Sequence, residues 1–141
     1  MRRKMLAVLV VGLLVAADEG KKEGEKFSGT WTIESFTRDG KDNDDAKGEK
    51  VTFEGDRLTV ETKNGEHKGT FKLYPDQKPK GIDFTPSDGP NEGKMHRGIY
   101  ALEKGRLKIC LAKPDGDRPK EFESKEGSDL ILVVLKREKS E

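Results

Sequence analysis

The stretch KVTFEGDRLTVETKNGEHKGTFKL, residues 50–73, decides the fold. Val51 and Phe53, Leu58 and Val60, and Phe71 and Leu73 each lie two residues apart, which puts both members of a pair on one face of an extended strand. Gly55-Asp56 and Asn64-Gly65 separate the pairs. Asn64-Gly65 is the stronger turn signal, because both residues tolerate the positive φ of a type I′ hairpin turn. The segment reads as three antiparallel strands, about 50–54, 57–62 and 67–73.

The same pattern extends in both directions. Upstream, Thr30–Arg38 alternates with Trp31 and Ile33 on one face, and a charged loop, 39–49, follows it. Downstream, Ile82 and Phe84 mark a strand over 81–85, and residues 86–93 are turn formers without an apolar side chain. A strand over 94–102 has an ambiguous inward face, on which Met95, Ile99 and Ala101 compete with Tyr100 and Leu102. Lys104-Gly105 turns the chain into 106–112, with Leu107, Ile109 and Leu111 inward. A Pro- and Gly-rich excursion, 113–129, leads to the last strand, 130–136, which is apolar on both faces and is expected in the middle of the sheet with its outer face covered. No part of the chain after residue 17 keeps a helical apolar period for three turns. Eight hairpin-linked strands predict an all-β fold, an antiparallel eight-stranded up-and-down barrel rather than a sandwich, since closure removes exposed strand edges.

The first seventeen residues differ from the rest. Arg2, Arg3 and Lys4 precede an apolar run from Met5 to Ala17. Thirteen helical residues span about 20 Å, short of the roughly 30 Å hydrocarbon core of a bilayer. A basic start, a short apolar stretch and small residues at Val15-Ala16-Ala17 predict a signal peptide over 1–17, cleaved near Ala17, and hence a periplasmic or extracellular protein. Residues 18–26 carry no apolar side chain and are expected to form a flexible tail, which leaves 27–137 as the domain.

Without the first seventeen residues the chain has 124 residues and a net charge of −2, which argues against a phosphate-tracking nucleic-acid surface. Leu, Ile, Val and Phe supply only 23 of those 124, so the core is lean. The single cysteine, Cys110, excludes an internal disulfide. Cys110 lies on the face opposite Leu107, Ile109 and Leu111, and His67 and His96 fall on different strands, so no nucleophile–base constellation is legible and no catalytic residue is assigned. A histidine brought within reach of a carboxylate or of Cys110 by a cavity would reopen that reading. Asp39, Asp42, Asp44 and Asp45 cluster in one loop, but without the ligand order of a calcium loop and with Lys41 and Lys47 among them, so no metal and no cofactor is expected.

Phe27-Ser28-Gly29-Thr30-Trp31 opens the first strand and Lys136-Arg137 closes the last. A Gly-x-Trp at the start with a basic residue at the end resembles the lipocalin and fatty-acid-binding (calycin-type) arrangement. The resemblance implies a short 3-10 turn before the first strand, a barrel floor built on Gly29, Trp31 and Arg137, and a guanidinium packed across the indole, a contact worth about 0.5–2 kcal/mol. The chain more closely resembles an uncharacterised family of exported lipocalin-like domains abundant in planctomycetes. The matching stretches are Gly69-Thr70-Phe71-Lys72-Leu73, Lys78-Pro79-Lys80-Gly81-Ile82-Asp83, Gly98-Ile99-Tyr100, Leu107-Lys108-Ile109-Cys110, Arg118-Pro119-x-x-Phe122 and Leu135-Lys136-Arg137.

An eight-stranded barrel can be filled by its own side chains or hold one small ligand. About twenty inward apolar side chains predict a mostly filled interior with a modest cavity, with space near Thr62, Gly81 and Gly98 and a mouth formed by 39–49, 86–93 and 113–129. The expected function is binding of a small apolar or amphipathic molecule. The alternative is a non-catalytic interaction module of the cell envelope without a cavity.

Overall fold

The computed structural model describes residues 22–138. The expected signal peptide and residues 18–21 of the expected tail lie outside that range. Nine strands follow in order: β1 (Gly29–Arg38), β2 (Lys41–Asp42), β3 (Lys50–Glu54), β4 (Arg57–Thr62), β5 (Gly65–Tyr74), β6 (Gly81–Pro86), β7 (His96–Glu103), β8 (Arg106–Leu111) and β9 (Ile131–Arg137). All pairings are antiparallel, and from β3 to β9 each strand pairs with the next. Strand β9 returns to β1, so eight strands close into a barrel, with β2 a two-residue addition at the upper end of β1.

The seam between β1 and β9 runs from Trp31 opposite Arg137 to Arg38 opposite Ile131, with a register shift between Ile33 and Ser35. Strand β3 reaches only as far as Thr32 on the other side of β1. Above that point a 3-10 turn, Asp44–Ala46, and the bonds from Ile33 N–H to Glu49 O and from Gly48 N–H to Ile33 O fill the gap between the strands.

The hairpins fall where the sequence places them, but the expected turn type moves. Lys63 and Asn64 are the two residues between the paired Thr62 and Gly65, and of these four only Gly65 takes a positive φ, +116°. The Thr62 hydroxyl donates to Gly65 O and accepts from Asn64 N–H, which holds the chain in this turn instead of a type I′ turn. Positive φ at both central residues occurs at Lys104 (31°) and Gly105 (81°).

The expected tail is corrected in its described part. Residues 22–27 form a helical turn whose end is closed by Ser28 N–H, bonded both to Gly24 O and, in 3-10 fashion, to Glu25 O. Phe27 is fully buried and packs at 5.0 to 5.8 Å against Tyr100, Phe53 and Phe71. Glu23 is buried too, accepting from the Tyr100 hydroxyl at 2.7 Å and from Lys80 Nζ at 2.9 Å, with Lys26 Nζ at 3.1 Å. This turn plugs the lower end of the barrel.

Strand β7 also becomes unambiguous. Tyr100 joins the interior cluster, whereas Ile99 sits on the outer face opposite Cys110, and both are fully buried. The excursion 112–130 accounts for this burial. It lies over the outer face as a strap, with the Cys110 thiol 3.5 Å from Glu123 O and Arg118 Nη1 donating to the carbonyls of Gly98 and Ile82. Arg118 also meets Asp83 at 2.9 Å, and Asp83 accepts from the Tyr74 hydroxyl. Two of the quoted stretches, around Gly81-Ile82-Asp83 and around Arg118-Pro119, thus meet in space. Strand β9 lies between β8 and β1, but its outward Leu132 and Val134 remain only partly covered.

Burial pushes the Glu23 carboxyl up, but the hydrogen bonds from Lys80, Tyr100 and Lys26 together outweigh it and hold the group below its ordinary value of 4.5. A carboxylate lowered in the folded state stabilises the fold fully above its unfolded value, and this contribution is lost as the pH falls from about 4.5 through the lowered value. Glu23→Ala is expected to cost about 1–3 kcal/mol at pH 7, because the Tyr100 hydroxyl loses its buried acceptor. In urea melts the gap to the parent should narrow as the solution is acidified below pH 4.5.

Candidate ligand-binding cavity

The two ends of the barrel are built differently. At the lower end Arg137 lies opposite Trp31 across the seam, so both side chains share the inner face, and the guanidinium carbon stands 4.3 Å from the indole centroid. The indole N–H donates to Phe27 O at 2.8 Å, and the guanidinium donates to the carbonyls of Ser28, at 2.8 Å, and Lys26. Gly29 takes φ +115°, and a β-carbon there would stand 3.3 Å from the guanidinium. Gly29, Trp31 and Arg137 are thus brought together and tie the plug to both strands of the seam.

The upper end holds a cavity of about 300 Å³. Its wall is apolar: Ile33, Phe36, Val60, Phe84, Leu111 and Val133 are among the lining residues, and its floor reaches Phe53 and Ile82. Arg38, Glu49, Asn91 and His96 are the polar residues in the lining. The space does not come from the positions expected. Gly81 starts β6 at the lower end, where Gln77 and Arg118 fill the place of a β-carbon. At Gly98 that place is taken by Cys110 O, only 2.5 Å away. Thr62 is tied into the β4–β5 hairpin. The cavity instead follows from the short β3, which leaves the upper half of β1 to face a loop. Of the expected mouth loops, 39–49 contributes Glu49 and 86–93 contributes Pro86 and Asn91, while 113–129 turns down the outside as the strap.

His96 and His67 both reach this end. His96 is 6% exposed, its Nδ1 2.9 Å from Ala112 O, with its ring 6.0 Å from that of Phe84. A carbonyl only accepts, so Nδ1 carries the proton in this bond. His67, directly opposite Val60, points its Nδ1 at Asp88 Oδ1, 3.2 Å away, while Asp88 Oδ2 accepts from Lys68 N–H at 3.0 Å. The backbone N–H of Lys68 and then the His67 ring hold the Asp88 carboxyl below the usual range. This histidine–carboxylate pair is the geometry that would reopen a catalytic reading. It edges a groove of about 230 Å³ lined by Leu58, Val60, Phe84, Pro86 and loop 88–91, and no serine, threonine or cysteine is in that lining. Its visible effect is to pin loop 86–93 to β5, with help from Ser87 N–H bonded to Lys68 O.

Cys110 is remote from this chemistry, under the strap, where burial raises its thiol above the ordinary value and keeps it from the thiolate a nucleophile needs. The acidic loop spends its groups locally: Asp42 accepts from Thr37, Asp39 from Asp129 N–H, and Asp44 pairs with Lys47. Among the described residues no group of three His, Cys, Asp or Glu side chains is placed to hold a metal ion, and no helix is long and apolar enough to cross a membrane. The buried His96 and the pinned loop were hidden in the sequence, because both depend on pairings between β5, β6 and β7.

No protein-family model matches the chain, and no curated protein matches it. Among solved structures it is similar to a DUF4847 family protein from Bacteroides vulgatus, at 15% identity over 82% of this chain and 96% of that one, with a TM-score of 0.49. Similarity at that level carries no functional information.

If Asp88 pins the loop, Asp88→Ala should speed hydrogen exchange at the amides of Lys68 and Ser87 at least several-fold. The amides of β7 and β8 should keep their protection, because the pair is exposed and outside the core.

Proposed function

We propose that this protein is a lipocalin-like domain that binds a small apolar or amphipathic molecule in the upper half of its barrel. One observation carries the reading: an apolar cavity of about 300 Å³ opens between loops at one end of a barrel whose other end is plugged. That volume is at the lower bound of the roughly 300–1,000 Å³ range of small-molecule sites, and an apolar wall with a few polar groups suits such a site. The enclosed apolar surface favours ligands driven by burial, at about 25 cal/mol per Å² removed from water. No cofactor, metal or catalytic step enters this reading. It extends to location: the basic start and apolar run of residues 2–17 direct the chain to the periplasm or exterior, where the mature protein begins near Asp18.

Two measurements test these statements. An anilinonaphthalene sulfonate probe should bind the parent with enhanced fluorescence and be displaced by medium-chain alcohols. Val133→Trp, which fills the cavity, should weaken probe binding at least tenfold while leaving the far-ultraviolet spectrum of the fold. An unchanged affinity in this variant, or no probe binding by the parent, would favour the interaction-module alternative. For the location, N-terminal analysis of protein recovered from its native host should find a start within a few residues of Asp18; an intact Met1 would refute export by cleavage.

A further inference from the structure

The geometry points to a ligand that carries a neutral hydrogen-bond donor, a hydroxyl group, held by His96 Nε2. This deepens the proposed function and rests on it.

His96 is a polar side chain more than nine-tenths buried that lines the cavity. Its Nδ1–H is committed to Ala112 O at 2.9 Å. The partner is fixed in place, since Ala112 N–H is itself bonded to Arg97 O at 2.8 Å. With Nδ1 carrying the proton, the tautomer with a single N–H leaves Nε2 as an acceptor, and the hydrogen bond that His96 makes among the described residues is the one at Nδ1. The Phe84 ring lies beside it, with centroids 6.0 Å apart and the planes tilted by 33°. An acceptor left unpaired in an apolar cavity favours occupants that bring a donor, because an occupant without one strips away water and returns nothing.

The charges in the lining narrow the head group further. Arg38 and Glu49, of opposite sign, both line the cavity. Neither a carboxylate nor an ammonium head would meet a field of one sign there, whereas a hydroxyl makes the single bond that His96 offers and leaves its chain against Phe36, Val60 and Val133. The ligand class is therefore a compact alcohol or phenol with an apolar body.

The test uses two isomers of equal size, 1-octanol and heptyl methyl ether, which differ in that only the alcohol donates. Their affinities for the full mature chain are read by displacement of the fluorescent probe. Octanol is expected to bind about three- to tenfold more tightly, the range given by one net hydrogen bond. His96→Phe should abolish the preference, so that the two isomers bind it equally, and His96→Gln, whose amide has both a donor and an acceptor, should restore part of it. Long-range nitrogen-15 spectra of the parent, which need no variant, should show Nε2 unprotonated and shifted by octanol but not by the ether. Equal affinity for the two isomers in the parent, a preference that survives in His96→Phe, or a protonated Nε2 would overturn the assignment of His96 and leave the binding function standing. Failure of both isomers to displace the probe from the cavity would overturn the binding function itself.

Discussion

The fold depends on closure between its first and last long strands. A chain with so few large apolar residues cannot afford open sheet edges, whose backbone groups must find partners in water or in other chains. The β1–β9 seam removes both edges at once, and its lower end is fastened by more than backbone bonds. The Arg137 guanidinium stacks on Trp31 and reaches the carbonyls of Ser28 and Lys26, while the indole N–H reaches Phe27 O. One cation thus joins the last strand, the first strand and the plug that precedes it.

That fastening concentrates the core at one end. Phe27 enters from the plug and meets three other aromatic rings edge-on or stacked, an arrangement that fills the narrow base with rigid surface. Above it the sheet is asymmetric. Strand β1 is ten residues long and β3 is five, so the upper half of β1 faces a loop with a 3-10 turn. Loops cannot supply the alternating inward side chains of a strand, and the interior there stays partly empty. The cavity is a consequence of unequal strand lengths, and the strap bears on it only at its first residue, Ala112, whose carbonyl holds His96.

Much of this architecture was legible in the sequence because alternation and turns are local. The pairs Leu58–Val60 and Phe71–Leu73 set inward faces, and the glycine dipeptides set the hairpins. The plug was not legible: residues 22–26 alternate Lys, Glu and Gly with no apolar side chain, and Glu23 becomes a core residue only because Tyr100, 77 positions away, supplies a hydroxyl. The face of Ile99 was undecidable for a similar reason, since its cover is a strap anchored by Arg118 on Asp83. At the candidate site, His96 stood out in the sequence only as one of two histidines. Its free nitrogen follows from the carbonyl of Ala112, a residue on a different strand's extension.

The distribution of strong and weak contacts bears on how a ligand would enter. The buried network of Glu23, Tyr100 and Lys80 and the Trp31–Arg137 stack lie at the plugged end, so opening there would break the seam. At the mouth, loop 86–93 is held to β5 by the exposed His67–Asp88 pair and a few backbone bonds, contacts that water competes for. Local opening at the mouth therefore costs a small part of the whole fold's stability, as ligand-admitting loops require. Opening of the mouth loop would thus leave the closure that defines the barrel intact.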